Sequence, residues 1–366
     1  MLFKSRRPRT LFFFHETTWS GAPIQLLHLM TWLKAKGWEI AAAVPQGWTP
    51  EAGPIGACLA NMGVEVFPVI DLSAPPDFAA LRDLAQRFEV VIANTLVMWA
   101  AVRAAHEAGV ASIWYIHESL VAQQLIEQNP EIQATLSLAQ LLVMPTRRTA
   151  RLYAGYVDRS IEVVPYGIPA SKAATVAISS HQPTILLLGT YESRKGQDVF
   201  LEAIHQMPAA LRNRARFQMA GRKLDQAFFD ELAQRAADLP NVELGAALEH
   251  EAACAAIAAA DVLVCASRDE TMPVAILEAM SLGKAIVTTD VGGIAEGLED
   301  GRNALIVRPE DPPALARALQ RCLEEPTLPA RLGDNARRTF ARDFSIDRLG
   351  KTFSALLTGA LRAKRR

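Results

Sequence analysis

Short apolar runs recur along the chain, each followed by a segment with helical spacing. In the first half these runs are Thr10 to Phe14, Ile40 to Val44, Val64 to Val69, Val90 to Ala93, Ala111 to Ile116, Leu141 to Met144 and Ile161 to Val164. They are near-continuously hydrophobic rather than alternating, which predicts strands buried on both faces. Between the first two, Leu26, Met30 and Leu33, widened by Leu27, recur at three- and four-residue spacing and predict a helix closed by Gly37. Phe78 to Arg87 predicts another. Strands alternating with helices predict a parallel sheet covered on both sides. Residues 170 to 183 are rich in Ser and Ala and lack any period, so a linker is expected at 169–183. The rhythm then restarts with Ile185 to Leu188 and runs to a final amphipathic helix, Ile346 to Leu361, striped by Leu349, Phe353, Leu356 and Leu357. The expected organisation is an α/β domain at 1–168, the linker, a second α/β domain at 184–345, and a helix with a basic tail at 346–366.

In open parallel sheets, ligands bind beyond the carboxyl ends of the strands. Gly21, Asn94 and His117 fall at such ends in the first half, and Gly189 in the second. The densest polar chemistry follows the run Val262 to Ala266. There the chain reads SRDETMPVAILEAMSLGKAIVTTDVGGIAEG from Ser267 to Gly297. A turn carries Asp269, Glu270 and Thr271. Pro273 is expected at the first helical position, where its missing N–H costs nothing, and Gly283 at the C-terminal cap. Backbone amides from Met272 to Val274, with the helix dipole behind them, favour an anion. Glu278 lies inside this helix among Ile276, Leu277, Ala279 and Met280. A carboxylate buried there is costly unless hydrogen-bonded, and vicinal hydroxyls of a sugar or ribose supply such bonds. A capped helix whose Glu278 meets a basic side chain is the plainer alternative.

The set Ser267, Glu270, Glu278, Ala279, Gly283, Gly292, Gly293 and Glu296 resembles the donor-site signature of the family-4 group of GT-B glycosyltransferases. The likeness runs along nearly the whole chain. Gly189 to Gly196, with Lys195-Gly196 at its end, resembles the family's G-R-x-x-x-x-K-G loop, with Thr190 where the Arg usually stands and Arg194 as the candidate second charge. Val164-Pro165-Tyr166-Gly167-Ile168 resembles V-P-N-G-V, with Tyr166 replacing Asn. Ala220-Gly221-Arg222, Asn241 to Gly245 and Gly301 to Val307 resemble further family segments. The resemblance implies a GT-B fold: two Rossmann-like domains facing across a cleft, with the last helix crossing back to the first. It implies retaining transfer of a hexose-type sugar from a nucleotide diphosphate, UDP or GDP favoured, to a hydroxyl of a glycan, lipid-linked or small-molecule acceptor. It gives Glu270, Lys195 and His117 the catalytic roles. Donor binding falls to Gly21, Gly189, Arg194, Lys195, Arg222, Thr271, Met272, Pro273, Val274 and Glu278. Within that picture Lys195 grips the diphosphate, Glu270 the sugar hydroxyls and Glu278 the ribose.

Composition narrows the class. The chain has 366 residues, is 50% hydrophobic and carries a formal net charge of −1, so no global field recruits nucleic acid. Cys58, Cys254, Cys265 and Cys322 form no C-x-x-C pair and read as reduced thiols of a cytoplasmic protein. No D-x-D occurs, and no His/Cys cluster at metal-ligand spacing is expected, so the reading is metal-independent with no cofactor beyond the donor. Basic residues at both ends (Lys4, Arg6, Arg7 and Arg9; Arg362, Lys364, Arg365 and Arg366) read as solvated tails, or as weak peripheral contact with the inner face of a membrane. Three other readings share parts of the pattern. A GT-B sugar-nucleotide epimerase keeps the nucleotide site. A non-catalytic nucleotide-sugar binder is suggested by Thr190. A nicotinamide enzyme would need G-x-G-x-x-G after the first strand, which is absent.

Overall fold

The computed structural model describes residues 7–49, 53–171 and 182–364. Residues 172–181 of the expected linker, Lys4, Arg6, Arg365, Arg366 and the side chain of Lys364 lie outside the described residues. The chain divides into two compact units, 1–169 together with 345–366, and 170–344.

The first unit is built on a seven-stranded sheet. Its strands are β1 (Thr10–Phe13), β2 (Ile40–Pro45), β3 (Glu65–Ile70), β4 (Val90–Asn94), β5 (Ala111–Tyr115), β6 (Leu141–Met144) and β7 (Glu162–Val163), in the order β3-β2-β1-β4-β5-β6-β7. Every neighbouring pair is parallel. β1, β4 and β5 are buried along their whole length, which is why their sequences do not alternate. Helices absent from the sequence expectation are Pro54–Asn61, Trp99–Glu107, Val121–Gln128, Pro130–Leu136 and Arg147–Leu152. Trp99–Glu107 buries mostly alanines, whose small side chains give no visible stripe. The last helix, Ile346–Lys364, belongs to this unit. It packs against the helix Gly21–Ala35, where Trp32 Nε1 donates to Asp347 at 2.6 Å. Phe353 also stacks on Tyr115, with ring centroids 5.0 Å apart.

The second unit carries a six-stranded sheet: β8 (Thr184–Leu188), β9 (Arg216–Ala220), β10 (Val242–Gly245), β11 (Val262–Cys265), β12 (Ala285–Thr289) and β13 (Leu305–Val307), ordered β10-β9-β8-β11-β12-β13 and parallel throughout. Its core gathers Ile185, Leu187, Phe200, Phe217, Val264, Val287 and Leu319. In each sheet the first strand of the unit stands where the order reverses: β1 between β2 and β4, β8 between β9 and β11. At such a switch point the loops leaving the two central strands part and open a crevice. In the second sheet those loops are 189–196 and 266–273. No helix among the described residues is long and apolar enough to cross a membrane.

Candidate functional site

The switch point of the second sheet brings together the two stretches that the sequence singled out. After β8 the chain turns through a short 3₁₀ segment, Ser193–Lys195, then Gly196 at φ 68°, and enters the helix Gln197–Gln206. A side chain on Gly196 would lie 2.0 Å from the carbonyl oxygen of Ala266, so only glycine lets this loop press against the end of β11. Across the contact, the ammonium of Lys195 pairs with Glu270 Oε1. Arg194 Nη1 stands 3.6 Å from the same oxygen, and Ser267 Oγ donates to it at 3.3 Å. Arg194 also binds Glu192 at 2.8 Å and the Asp269 carbonyl at 3.2 Å. Burial works against its charge, but Glu270 and Glu192 outweigh it and hold the guanidinium above its ordinary pKa. Lys195 and Arg194 therefore approach one carboxylate from the same loop. Gly189 lies beneath the stem of Lys195. Arg222 follows β9 exposed, its carbonyl receiving the Tyr191 N–H at 2.8 Å.

Arg268 is the residue that sequence reasoning passed over. Its guanidinium grips Asp198 with two bonds of 2.9 and 2.8 Å and reaches Glu310 at 3.0 Å, while its backbone N–H donates to Arg194 O at 2.8 Å. The fork geometry suits a planar carboxylate and ties the Lys195 loop to the Glu270 turn. Its partners are remote in sequence, so no local signal marks it.

Pro273 corrects an expectation. It is the N-cap, and the helix proper is Val274–Leu282, closed by Gly283 at φ 67°. Proline has no N–H. The backbone donors at this helix start are therefore Met272, Val274 and Ala275, not an unbroken run from Met272 to Val274. The Val274 and Ala275 amides have no intrahelical acceptor and point along the dipole, whereas Ile276 N–H already donates to Pro273 O at 3.2 Å. Thr271, Pro273 and Val274 are half-buried and Met272 is buried, beside Glu270.

Glu278 meets the neighbouring helix, His250–Ala259. Its Oε1 lies 3.4 Å from His250 Nδ1 and accepts from Cys254 Sγ at 3.7 Å. The expectation that no His/Cys cluster has metal-ligand spacing is thus overturned. His250 and Cys254 are four residues apart on one helix face, and the fold adds Glu278. The imidazole of His250 is the basic side chain recorded beside Glu278 among the described residues. Burial pushes the Glu278 carboxyl up to about 7, against a smaller opposing effect of Cys254. Burial also holds the His250 imidazole below its ordinary value. The folded state thus keeps a proton on Glu278 that the unfolded chain releases near 4.5. Bound protons in excess in the folded state mean that stability falls as pH rises from about 4.5 to about 7. Glu278→Gln is expected to flatten that segment, read as urea midpoints of variant and wild type at about pH 5 and about pH 8. Parallel pH curves would overturn the assignment.

In the first unit, His117 follows β5 and is nearly enclosed. Nε2 is 2.6 Å from Asn94 Oδ1 and Nδ1 is 2.7 Å from Tyr166 Oη. An amide oxygen only accepts, so Nε2 carries the proton and Nδ1 accepts from Tyr166. Burial first, then the nearby His15, lowers its pKa to about 3 and keeps it neutral. Both nitrogens are engaged, which makes His117 a neutral hydrogen-bonding hub between Asn94 and Tyr166. Tyr166, the residue replacing Asn in the V-P-N-G-V segment, is what holds it. Next to Asn94, Thr95 sits at φ 77°, strained for a non-glycine. Its N–H to Tyr115 O at 2.8 Å and its carbonyl to Trp114 Nε1 at 2.7 Å hold it there. Gly21 is the first residue of its helix and exposed, and a side chain there would meet nothing within 4 Å. The cluster of Lys195, Glu270 and the Met272–Val274 helix start is thus assembled in one unit. His117 and Gly21 lie in the other.

The family described as glycosyl transferases group 1 matches residues 171–339. Among characterised relatives, an alpha-D-kanosaminyltransferase of Streptomyces kanamyceticus is 26% identical over 48% of this chain and 45% of its own length. A D-inositol 3-phosphate glycosyltransferase of Xylanimonas cellulosilytica is 28% identical over 57% of this chain and 55% of its own. The matches thus span about half the length of these relatives. Among solved structures, Anabaena Alr3699/HepE in complex with UDP and glucose superposes with a TM-score of 0.80 at 18% identity, covering 96% of this chain and 99% of that one. A sucrose-phosphate synthase from Thermosynechococcus elongatus also gives 0.80 at 18% identity, covering 98% and 100%. At these identities the structural likeness speaks for the fold.

Proposed function

We propose that the chain, which has the GT-B fold and whose residues 171–339 match glycosyl transferases group 1, is a retaining, metal-independent hexosyltransferase. It moves a sugar from a nucleotide diphosphate donor to a hydroxyl of a glycan, lipid-linked or small-molecule acceptor. The observation that carries this reading is the meeting of Lys195 with Glu270 beside the Val274–Leu282 helix start. A departing diphosphate needs positive charge and hydrogen-bond donors fixed in advance. Lys195, Arg194 and the Met272 and Val274 amides supply them from one side of the turn. When the diphosphate takes over Lys195, Glu270 is freed to accept from the sugar hydroxyls. The bond from the anomeric carbon to the diphosphate oxygen breaks and the bond to the acceptor oxygen forms on the same face. The acceptor proton passes to the leaving phosphate. This charge-neutralising set does the work that a divalent ion does in other transferases, which is why the chemistry is assigned no metal.

UDP and the UDP-glucose of the structural neighbour make a UDP-linked hexose the first donor to try. Calorimetric titration with UDP, GDP and ADP is expected to show saturable binding of one nucleotide. Turnover of its sugar conjugate should survive excess chelator. Binding without turnover on any acceptor points instead to a nucleotide-sugar binder, and loss of turnover with chelator would contradict metal independence.

A further inference from the structure

We propose that His250, Cys254 and Glu278 form a three-ligand site for a thiophilic divalent cation of the zinc class, and that a cation held there excludes the nucleotide from Glu278. The three side chains come from two helices packed side by side, His250–Ala259 and Val274–Leu282. Their donor atoms all lie within 4.8 Å of one another. With His250 offering Nδ1, Glu278 Oε1 is 3.4 Å from Nδ1 and 3.7 Å from Cys254 Sγ, and Cys254 Sγ is 3.9 Å from the same Nδ1. Tetrahedral zinc with bonds of about 2.0 to 2.3 Å sets its ligand atoms roughly 3.3 to 3.6 Å apart. The triangle is therefore slightly larger than its metal-bound size, and small rotations of the half-buried His250 and Cys254 towards the buried Glu278 close it. The i, i+4 spacing of His250 and Cys254 puts both on one helix face.

The chemistry of the donors selects the ion. A thiolate and an imidazole favour zinc, cobalt and similar ions over magnesium or calcium, which prefer oxygen. Three protein ligands among the described residues leave a fourth position for water, the pattern of an exchangeable site rather than a closed structural one. His250 keeps 35% of its side chain exposed, which gives an ion a way in. Glu278 is where the cation meets the donor. His250 and Cys254 converge on one oxygen of this carboxylate, and a bound cation takes it. The exclusion of nucleotide rests on the ribose role given to Glu278 above; cation binding itself does not.

The test is titration of the reduced full-length chain with Co²⁺. One equivalent is expected to give a thiolate-to-cobalt absorption in the near ultraviolet and visible bands of tetrahedral intensity, both displaced by Zn²⁺. Cys254→Ser should abolish the charge-transfer band, and His250→Ala should weaken cobalt binding, with circular dichroism checking the fold of each. Absence of a saturable band in the wild type, or its persistence in folded Cys254→Ser, overturns the site. Saturating Zn²⁺ should then weaken nucleotide binding about tenfold or more in the wild type, as competition for one group requires, and leave it unchanged in Cys254→Ser. A cobalt band with unaltered nucleotide affinity overturns the exclusion. Failure of the metal-free protein to bind any nucleotide counts against the proposed function, whereas the cobalt titration judges the site by itself.

Discussion

Replacing Lys195 by alanine is expected to lower sugar transfer by about a hundredfold or more, the usual loss when a preorganised donor to developing charge is removed. The fold should survive. The loop that carries Lys195 is held by its backbone, with Lys195 N–H donating to Glu192 O at 3.0 Å and Gly196 N–H to Ser193 O at 3.1 Å. Arg268 fixes its far side through Asp198. Nor does Glu270 lose every partner, since Ser267 Oγ at 3.3 Å and Arg194 at 3.6 Å stay beside it. The Lys195–Glu270 pair is largely buried, its side chains 20% and 11% exposed, but Arg194 and Ser267 remain beside the carboxylate, so loss of the ammonium is expected to cost about 1 to 3 kcal/mol. The variant still separates chemistry from folding: kcat/KM with the donor found by titration should collapse while the urea midpoint falls only modestly. Turnover close to wild type would remove Lys195 from the site. A large fall in the midpoint would mean that the pair is chiefly structural. Lys195→Arg is not a neutral control, because a planar fork of five donors replaces a compact ammonium.

What could be read from the sequence followed how local the cause was. The buried strands β1, β4, β8 and β11 are continuous apolar runs, so their positions were visible within a residue or two at each end. Lys195 and Glu270 were legible because each lies in a short stretch whose glycines and polar residues keep fixed spacing. The partners that give other residues their meaning come from far along the chain. Tyr166 meets His117 across 49 residues and Cys254 meets Glu278 across 24. Arg268 binds Asp198 across 70. A single basic residue in a turn, or a histidine and a cysteine in an alanine-rich helix, carries no mark of such pairings. His117 stands at a strand end, as its sequence position implies, while the two hydrogen bonds and the burial that keep it neutral come from residues elsewhere in the chain. The Pro273 error has a smaller origin. Proline lacks an N–H in either place, so the one-residue shift from the first turn to the cap changes only which donors open the helix, Val274 and Ala275.

Gly292→Ala is expected to cost about 3 kcal/mol or more, in the range reserved for strain and overpacking, and to abolish donor binding with it. Gly292 lies at φ 53°, and a methyl group there would fall 1.5 Å from the carbonyl oxygen of Glu270 and 2.9 Å from that of Thr271. Neither backbone can retreat easily. Gly293 N–H donates to Thr271 O at 2.7 Å, and Thr289 Oγ1 donates to Ser267 O at 2.6 Å, so β12 and the Glu270 turn are fastened on both sides of the contact. Relief must come from moving the turn itself, which displaces Glu270 from Lys195 and the Met272 amide from the helix start. Gly301→Ala is the control. Its φ of 70° carries the same left-handed penalty, yet a side chain there would meet nothing within 4 Å. It should cost only the backbone term, about 1 to 2 kcal/mol, with nucleotide affinity intact. Equal losses at the two glycines would show that the left-handed backbone, and not the close approach, is what position 292 requires. A larger loss at Gly292 together with lost nucleotide binding would tie the second loop of the Gly-Gly pair to the geometry of Glu270. Gly293, at φ −93°, needs no such freedom. The two glycines therefore serve different ends, the first admitting the turn and the second starting the short helix Ile294–Gly297.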